Sequence, residues 1–264
     1  MSQFVVVDIG GSGARLGFAT KHGITSIRKV SGIDSTYALV AAVMQLTGGR
    51  IPDAIALSVP GIISNSSIQY SYFTGWLAGD TVGIISAALK VDRRNVHIVP
   101  DGEAHAMALR RHPGVNFGAI NIAVGTGVAF GVIDANGNMM RTLSGHNWEL
   151  SSFALHTRAK DKAVWYALGG TKGFIEQKDR TDRDGLRHYG YRLGAFAVQM
   201  AHIFQPKTIG LSGGVIKHYW NAIKDGFIDE LGVLNRHKNV MAKPNVIAMN
   251  YEETALTGLA TIFF

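Results

Sequence analysis

The chain has 264 residues, of which 47% are hydrophobic, so it can fill a sizeable core as one large domain or two of ordinary size. It contains no cysteine, which excludes disulfide bonds, cysteine zinc sites and thiol catalysis. No run of eighteen apolar residues occurs and Met1-Ser2-Gln3 leads straight into an apolar strand, so we expect no signal peptide and no membrane span, and we predict a cytoplasmic protein.

Basic residues are in excess but are scattered along the chain. The formal net charge is +7, yet charged residues make up only 17% of the sequence. The densest basic stretch, Arg158 to His188, is interrupted by acidic residues and has no run of like charges with aromatic residues between them. We therefore interpret it as a solvated helical face rather than a nucleic-acid site. A small anionic ligand such as a nucleotide accounts for the basic bias.

The first half of the chain begins with a hairpin around a glycine-rich turn. A short apolar strand at 4–8 ends in Asp8, the turn Gly10-Gly11-Ser12-Gly13 follows, and a second strand is predicted at 15–20. Further along, the patterns predict a strand at 24–30, a helix at 37–46, a strand at 54–59, a helix at 81–89 and a strand at 96–99.

The second half repeats this opening. Strands at 120–124 and 128–134 flank the turn Gly125-Thr126-Gly127, a helix is predicted at 191–204, a strand at 208–211 leads into Ser212-Gly213-Gly214, and a further helix is predicted at 252–264. Two similar halves of alternating strands and helices predict duplicated α/β domains, at 1–100 and 101–251, that face each other across a cleft.

The glycine turn after Asp8 is the first candidate ligand site. Glycines let a ligand approach the backbone, and successive turn amides form a concave anion site, so Gly10-Gly11-Ser12-Gly13 is a candidate phosphate site. Asp8 would hold Mg²⁺ through water while Ser12 and Arg15 approach the phosphates. A tight hairpin turn without a ligand explains the same residues. A dinucleotide-binding loop does not, because it requires a helix where this sequence predicts a strand.

Asp101 is the candidate base. It lies in sequence between the two glycine turns, where the strand at 96–99 meets the start of a helix. Its carboxylate either caps that helix or acts as a base at the bottom of the cleft, and the two roles are compatible. The second turn, Gly125-Thr126-Gly127, favours the phosphate interpretation, because two such hairpins can hold a nucleotide's phosphates from opposite walls.

In their order along the chain, these motifs resemble those of the ROK (repressor, open reading frame and kinase) family of sugar kinases. The resemblance implies two ribonuclease-H-like domains of the actin-like ATPase type flanking a cleft, with the helix at 252–264 packing back on the first domain. The matched segments are Asp8-Ile9-Gly10-Gly11-Ser12, Val59-Pro60-Gly61, Phe73-Thr74-Gly75-Trp76, Asp101, Gly125-Thr126-Gly127 and Leu211-Ser212-Gly213-Gly214-Val215.

The resemblance also implies a reaction and the residues that serve it. ATP with Mg²⁺ would be the donor, a hexose or hexose derivative would be the acceptor at its 6-hydroxyl, and Asp101 would be the base. The adenosine contacts would be Gly213, Gly214 and Val215, and the sugar contacts would be Gly61, Gly75, Trp76, Asp101 and Glu149. Packing of Trp76 on the hinge is an alternative. A homodimer is implied as well, and no nucleic-acid or membrane partner is expected.

The sequence departs from the family pattern around the sugar. Pro100 and Glu103 stand where asparagines are usual, Tyr72 stands where a sugar-facing asparagine is usual, and Ser151-Ser152 replace the Gly-His that follows Glu149. Without that histidine and without cysteines, we expect no structural zinc. His146 is a candidate substitute, although a histidine in a polar loop is more often simply exposed. His97 and His105 are interpreted as structural.

These departures leave two alternatives to a kinase. One is a sugar or nucleotide sensor without catalysis, and the other is an ATPase of the same architecture that acts on no sugar. A DNA-binding regulator is not expected, because the first phosphate hairpin begins at once and leaves no room for a preceding DNA-binding domain. The sequence does not select one sugar, since single pocket substitutions change the preference among epimers.

Overall fold

The chain divides into two compact units. The computed structural model describes residues 3–11, 13–65, 67–71, 73–150, 154–155, 162–163, 168–169, 183–237, 242–249 and 253–264. Unit 1 comprises Met1–Ala108, Arg141–Trp148 and Glu253–Phe264, and unit 2 comprises Leu109–Met140 and Glu149–Glu252.

In chain order the elements are β1 (Phe4–Gly10), β2 (Gly13–Thr20), β3 (Gly23–Val30), α1 (Thr36–Thr47), β4 (Ala54–Val59), β5 (Ile62–Ser64), β6 (Ser67–Tyr70), α2 (Thr81–Leu89), β7 (Val96–Pro100), α3 (Asp101–Leu109), β8 (Ala119–Val124), β9 (Val128–Ile133), β10 (Met139–Met140), β11 (Ala154–Leu155), β12 (Lys162–Ala163), α4 (Arg183–Phe204), β13 (Thr208–Ser212), α5 (Gly214–Leu231), β14 (Asn245–Ala248) and α6 (Thr254–Ala260). Short 3-10 turns lie at Gly75–Leu77, Arg93–Asn95 and Gly232–His237.

The sheet of unit 1 has five strands in the order β3-β2-β1-β4-β7. Strands β1, β2 and β3 form an antiparallel meander, whereas β1, β4 and β7 are parallel. Every residue of β4 is buried, which is typical of a parallel strand covered on both faces. The carboxyl ends of β1, β4 and β7 therefore meet at one edge of this sheet.

Two apolar clusters cover the two faces of the unit 1 sheet. On one face, α1 and α2 contribute residues such as Leu39 and Ile85. On the other face, Ala104 of α3 and Leu256 of α6 pack with Val6 of β1. Successive residues of β1 and β4 alternate between the two clusters, as side chains on a strand must. Burial on both sides fixes the strands whose ends carry the candidate site.

The sheet of unit 2 has the order β10-β9-β8-β13-β14, with β8, β13 and β14 parallel and β9 and β10 antiparallel. Helices α4 and α5 pack against each other through glycines. A Cβ on Gly190 would collide with the Ile223 carbonyl oxygen, and one on Gly226 with that of Arg187. Only glycine permits so close an approach of two helix backbones.

The predicted α/β class is confirmed, with two mixed sheets. The strands and helices predicted in both halves are present with bounds shifted by a few residues, except that α4 begins at Arg183 rather than 191. The hairpin β5–β6, helix α5 and strand β14 were not predicted. Among the described residues, no helix is long and apolar enough to cross a membrane.

The division into units differs from the predicted boundary at 100 and 101. Nearly all of α3 and the segment Arg141–Trp148 belong to unit 1, because α3 packs on the unit 1 sheet and the segment bonds to unit 1 at both ends. Helix α6 packs on β1, β2 and β4.

Of the basic stretch at 158–188, only residues 162–163, 168–169 and 183–188 are described. Within it, Arg187 is exposed and forms an ion pair with Asp229 at 2.7 Å.

Candidate active site

The register of the unit 1 sheet brings three predicted site segments to one edge. Asp8 of β1 lies opposite Ser58 of β4, and Ser58 lies opposite Val99 of β7. The glycine turn after β1, the Pro60-Gly61 turn after β4 and Asp101 after β7 therefore follow one another along the edge. With neighbouring strands about 4.8 Å apart, the ends of β1 and β7 are separated by about 10 Å.

The first glycine turn is shaped by close packing. Gly10 pairs with Gly13 across the β1–β2 hairpin, and Gly13 has a φ of 136° with the Val30 carbonyl oxygen only 2.6 Å from where a Cβ would lie. A side chain at that position is excluded both by conformation and by space. Gly11 is exposed, and the ring of Phe73 lies beside it. Ser12 lies outside the described residues.

Asp8 and Arg15 form an ion pair beside this turn. They lie directly opposite each other on β1 and β2, with Arg15 Nη1 3.6 Å from Asp8 Oδ2. The Asp8 side chain is 15% exposed and that of Arg15 is 37% exposed. The pair therefore presents one carboxylate and one guanidinium next to the turn amides.

Asp8 is suited to bind Mg²⁺ in a nucleotide site. Among the described residues, no three His, Cys, Asp or Glu side chains converge to hold a metal ion. Mg²⁺ bound with a nucleotide needs no such cluster, because one or two carboxylates, phosphate oxygens and waters complete its shell. Asp8 is the carboxylate that lies next to the glycine turn, and its Oδ2 contacts Arg15 at 3.6 Å, beyond hydrogen-bonding distance.

Asp101 is the first residue of α3. Its Oδ1 accepts a hydrogen bond from the Gly102 N–H at 2.8 Å. His105 lies one helical turn further on. Burial lowers the pKa of His105, the charge of Asp8 opposes this change and that of Arg15 reinforces it, so the ring lies within electrostatic reach of the Asp8–Arg15 pair.

Glu103 forms a contact that the sequence did not predict. Arg141 donates two hydrogen bonds to its carboxylate, Nε to Oε1 and Nη2 to Oε2, each 2.9 Å long. Glu103 is buried and the Arg141 side chain is 34% exposed. Glu103, two residues after Asp101, thus forms one half of a bidentate ion pair.

The Pro60-Gly61 turn is held from two sides. Buried Asn147 accepts a hydrogen bond from the Ile63 N–H at 2.9 Å and donates one to the Gly61 carbonyl at 3.0 Å. On the other side, Thr74 Oγ1 donates to the Pro60 carbonyl at 3.4 Å. The structure thereby brings the predicted sugar-side segments at Gly61 and at 73–76 together.

Gly75 and Trp76 occupy the 3-10 turn Gly75–Leu77. Gly75 is exposed, whereas Trp76 is half-buried and packs against the apolar cluster of unit 1 that includes α1 and α2. The contact of Trp76 with the sugar stays a prediction. Glu149 is exposed and belongs to unit 2. The ring of His146 contacts the Ser144 hydroxyl within its own loop at 2.9 Å. Tyr72 and Ser151-Ser152 lie outside the described residues.

The two predicted nucleotide segments of unit 2 meet in its sheet. Ser212 at the end of β13 lies opposite Ala123 of β8. Gly213 has a φ of 91° and lies directly on the backbone of Val124, the residue before Gly125-Thr126-Gly127. Gly214 begins α5 and Val215 is buried there. Gly125, Gly127 and Gly214 have open space where a Cβ would point.

Asn121 supports this edge from inside unit 2. It is fully buried on β8, and its Nδ2 donates to the Ser212 Oγ at 3.0 Å. Asn121, Asn147 and Arg141 were all missed at the sequence level. The available signal was a polar residue inside an apolar strand for Asn121, and there was none for the other two, whose partners lie far away in sequence.

No family model matches the chain and no curated protein does. Solved structures match over nearly its whole length. A ROK family glucokinase from Streptomyces griseus, solved with glucose and AMPPNP, has a TM-score of 0.76 and 18% identity, covering 99% of each chain. A ROK family protein from Streptococcus pneumoniae TIGR4, solved with sucrose, has a TM-score of 0.77 and 19% identity, covering 99% of this chain and 97% of that one.

This chain has the fold of the ROK sugar kinases. The predicted resemblance is thus confirmed at the level of the fold. The ROK fold also occurs in a transcriptional regulator, a homolog of the E. coli MLC protein, which has a TM-score of 0.70 and 15% identity, covering 98% of this chain and 77% of that one. At these identities the ROK fold by itself does not distinguish a kinase from a regulator.

Proposed function

We propose that this protein transfers the γ-phosphoryl group of MgATP to a hydroxyl of a hexose or hexose derivative, with Asp101 as the base. The observation that carries the proposal is the register of β1, β4 and β7, which brings the glycine turn, the Gly61 turn and Asp101 to one edge of one sheet. The solved ROK glucokinase that shares this fold was crystallised with glucose and an ATP analogue, which supports the same two ligand classes here.

Asp101 accepts the proton of the sugar hydroxyl as its oxygen attacks the γ-phosphorus in line. The Gly102 N–H on Oδ1 fixes the orientation of the carboxylate. The amides of the glycine turn and the guanidinium of Arg15 stabilise the negative charge on the phosphoryl oxygens. Asp8 would hold Mg²⁺, which supplies charge neutralisation at the phosphates when it is bound.

The sugar orientation is the second half of the proposal. The acceptor is the 6-hydroxyl, as the family resemblance implies, and Gly61, the Gly75-Trp76 turn and Glu149 orient the ring. Gly125-Thr126-Gly127 and Gly213-Gly214-Val215 hold the phosphates and adenosine of the nucleotide. Unit 1, which includes α6 and nearly all of α3, and unit 2 would each be a ribonuclease-H-like domain of the ATPase type. A cytoplasmic homodimer without bound zinc completes the proposal.

The experiment that tests it is ADP release from MgATP across a panel of hexoses, N-acetylhexosamines and rarer sugars. We expect release that depends on one sugar class, and at least a hundredfold loss in Asp101→Asn, of the order that removal of a general base costs. Nucleotide binding should persist in that variant. Asp92→Asn is the matched control, because Asp92 is exposed in the same unit and pairs only locally with Arg94. Full turnover in Asp101→Asn would contradict the assignment.

A binding protein without catalysis is the second candidate. Pro100 and the Glu103–Arg141 pair favour it, since both alter the surroundings of Asp101 relative to the family pattern. The occurrence of this fold in a regulator gives it a precedent. Calorimetry that detects sugar binding, together with no ADP release from any sugar, would favour this candidate. ADP release that is independent of added sugar would indicate an ATPase instead.

A further inference from the structure

A strap, Arg141–Trp148, is bonded to the rest of unit 1 by buried or partly buried polar contacts near both of its ends. At one end Arg141 bonds Glu103 on the helix that begins with Asp101. At the other end Asn147 bonds the backbone on both sides of Ile62, at the Gly61 carbonyl and the Ile63 N–H. We propose that Asn147 is a positioning residue for the sugar, which fixes the Gly61 turn through its side-chain amide. The inference rests on the proposed function and deepens it.

Both the oxygen and the nitrogen of the Asn147 amide bond the backbone. The residue is 6% exposed, its Oδ1 accepts from Ile63 and its Nδ2 donates to Gly61, across 84 and 86 residues of sequence. A truncated side chain would leave one backbone donor and one backbone acceptor without these partners in a buried place, which is costly. Because Asn147 is buried and both atoms of its amide bond the backbone around Ile62, we assign its effect on the sugar to the Gly61 turn.

The Gly61 turn has little freedom on its other side. Gly61 has a φ of 130°, and a Cβ there would collide with the Tyr70 carbonyl oxygen of β6. The turn is therefore packed on the β5–β6 hairpin and bonded to Asn147 of the strap. Loss of the Asn147 bonds would remove one of the contacts that hold Gly61 in place, while the packing against Tyr70 and the sheet remain.

Kinetics of Asn147→Ala with the sugar that supports turnover test the proposal. We expect the KM for the sugar to rise roughly tenfold, the effect of one or two lost buried hydrogen bonds, with the KM for ATP unchanged within about twofold. Asn147→Asp keeps the acceptor for Ile63 and loses the donor to Gly61, so its KM for the sugar should rise as well. Asn95→Ala is the matched control, because that asparagine also donates to a backbone carbonyl, of Asp53 at 3.0 Å, but at the surface.

Hydrogen exchange at the Ile63 amide supplies a readout that does not depend on activity. We expect exchange to accelerate by about tenfold in Asn147→Ala, and to stay slow in Asn147→Asp and Asn95→Ala. Unchanged exchange in Asn147→Ala overturns the proposal. Equal rises in the KM values for sugar and ATP overturn it too, because they indicate general loosening. If the wild-type protein shows no sugar-dependent turnover, the kinase assignment is wrong. Hydrogen exchange at the Ile63 amide then tests separately whether Asn147 holds the turn.

Discussion

Gly258 of α6 lies so close to Ala104 of α3 that a Cβ on Gly258 would collide with the Ala104 carbonyl oxygen. Both residues belong to unit 1, where α3 and α6 cover the same face of the sheet. Since α3 begins with Asp101, this contact sets the depth at which the helix of the candidate base lies on the sheet. It makes α6, far away in sequence, part of the support of the site.

Gly258→Ala should destabilise unit 1. An alanine normally favours a helix by about 1 kcal/mol over glycine, but overpacking against a backbone atom should cost about 2 kcal/mol or more in unfolding free energy. Urea denaturation measures the change. Gly232→Ala is the control, because a Cβ at Gly232 has open space. Equal stability of the two variants would mean that α3 and α6 separate easily.

The Glu103–Arg141 pair should contribute measurably to stability. Arg141→Gln leaves the buried Glu103 carboxylate without its bidentate partner, and we expect a loss of about 1–3 kcal/mol, discounted because Arg141 is 34% exposed. A double-mutant cycle with Glu103→Gln gives the coupling energy. The exposed Arg94–Asp92 pair is the comparison and should couple more weakly, because water screens it. Coupling as weak in the buried pair would be evidence against this anchor of the strap.

Alanine at open glycines of unit 2 should reveal whether a ligand approaches them. Within the part of the chain that the structure describes, no atom lies within 4 Å of a Cβ on Gly127 or Gly214, so Gly127→Ala and Gly214→Ala should fold with wild-type stability. If a nucleotide lies there, each methyl group takes up its space, and affinity for MgATP should fall by roughly tenfold. Calorimetric titration with AMPPNP measures this. Unchanged affinity in both variants would show that the nucleotide does not approach these glycines.

Stability should fall as the pH is lowered below the ordinary histidine range. Burial lowers the pKa of His105, opposed by Asp8 on β1 and reinforced by Arg15 on β2, and burial also lowers the pKa of His97. At these two sites the unfolded chain therefore binds more protons than the native state below about pH 6.5. Their contribution to the unfolding free energy is thus constant above that pH and decreases below it.

Urea denaturation at a series of pH values between 8 and 5 tests this dependence. His105→Gln should flatten part of the decrease, because the glutamine does not titrate. The control is His22→Gln. Because His22 is exposed, its replacement should leave the slope unchanged. An identical slope in His105→Gln and the wild type would show that His105 does not contribute.

Local pattern was sufficient for the elements whose apolar residues face a core. The continuous apolar run of β4 and the spaced apolar residues of α1 and α2 gave strands and helices close to those observed. Helix α5 was missed although Ile216, Ile223 and Phe227 have helical spacing. The early start of α4 was missed because Gly185 and Gly190 lower helix propensity there.

The candidate site was only partly predictable, and for a physical reason. Asp8, Gly13 and Asp101 lie at strand ends, where the alternation of strands and glycine turns marks them. Asn147 and Arg141 act through partners far away in sequence, so no local pattern identifies them. Polar contacts of this kind depend on the tertiary arrangement, which periodicity does not encode.

The order in which the chain passes through the two units determines when each unit is completed during synthesis. Unit 1 consists of three separate segments, and its segment Glu253–Phe264 carries α6, which covers the face of the sheet beneath α3. A ribosome synthesises all of unit 2 before it reaches α6. The core beneath the candidate base is therefore completed only after the second unit has emerged, and a nascent chain that stalls before α6 exposes the apolar surface of α3 to chaperones.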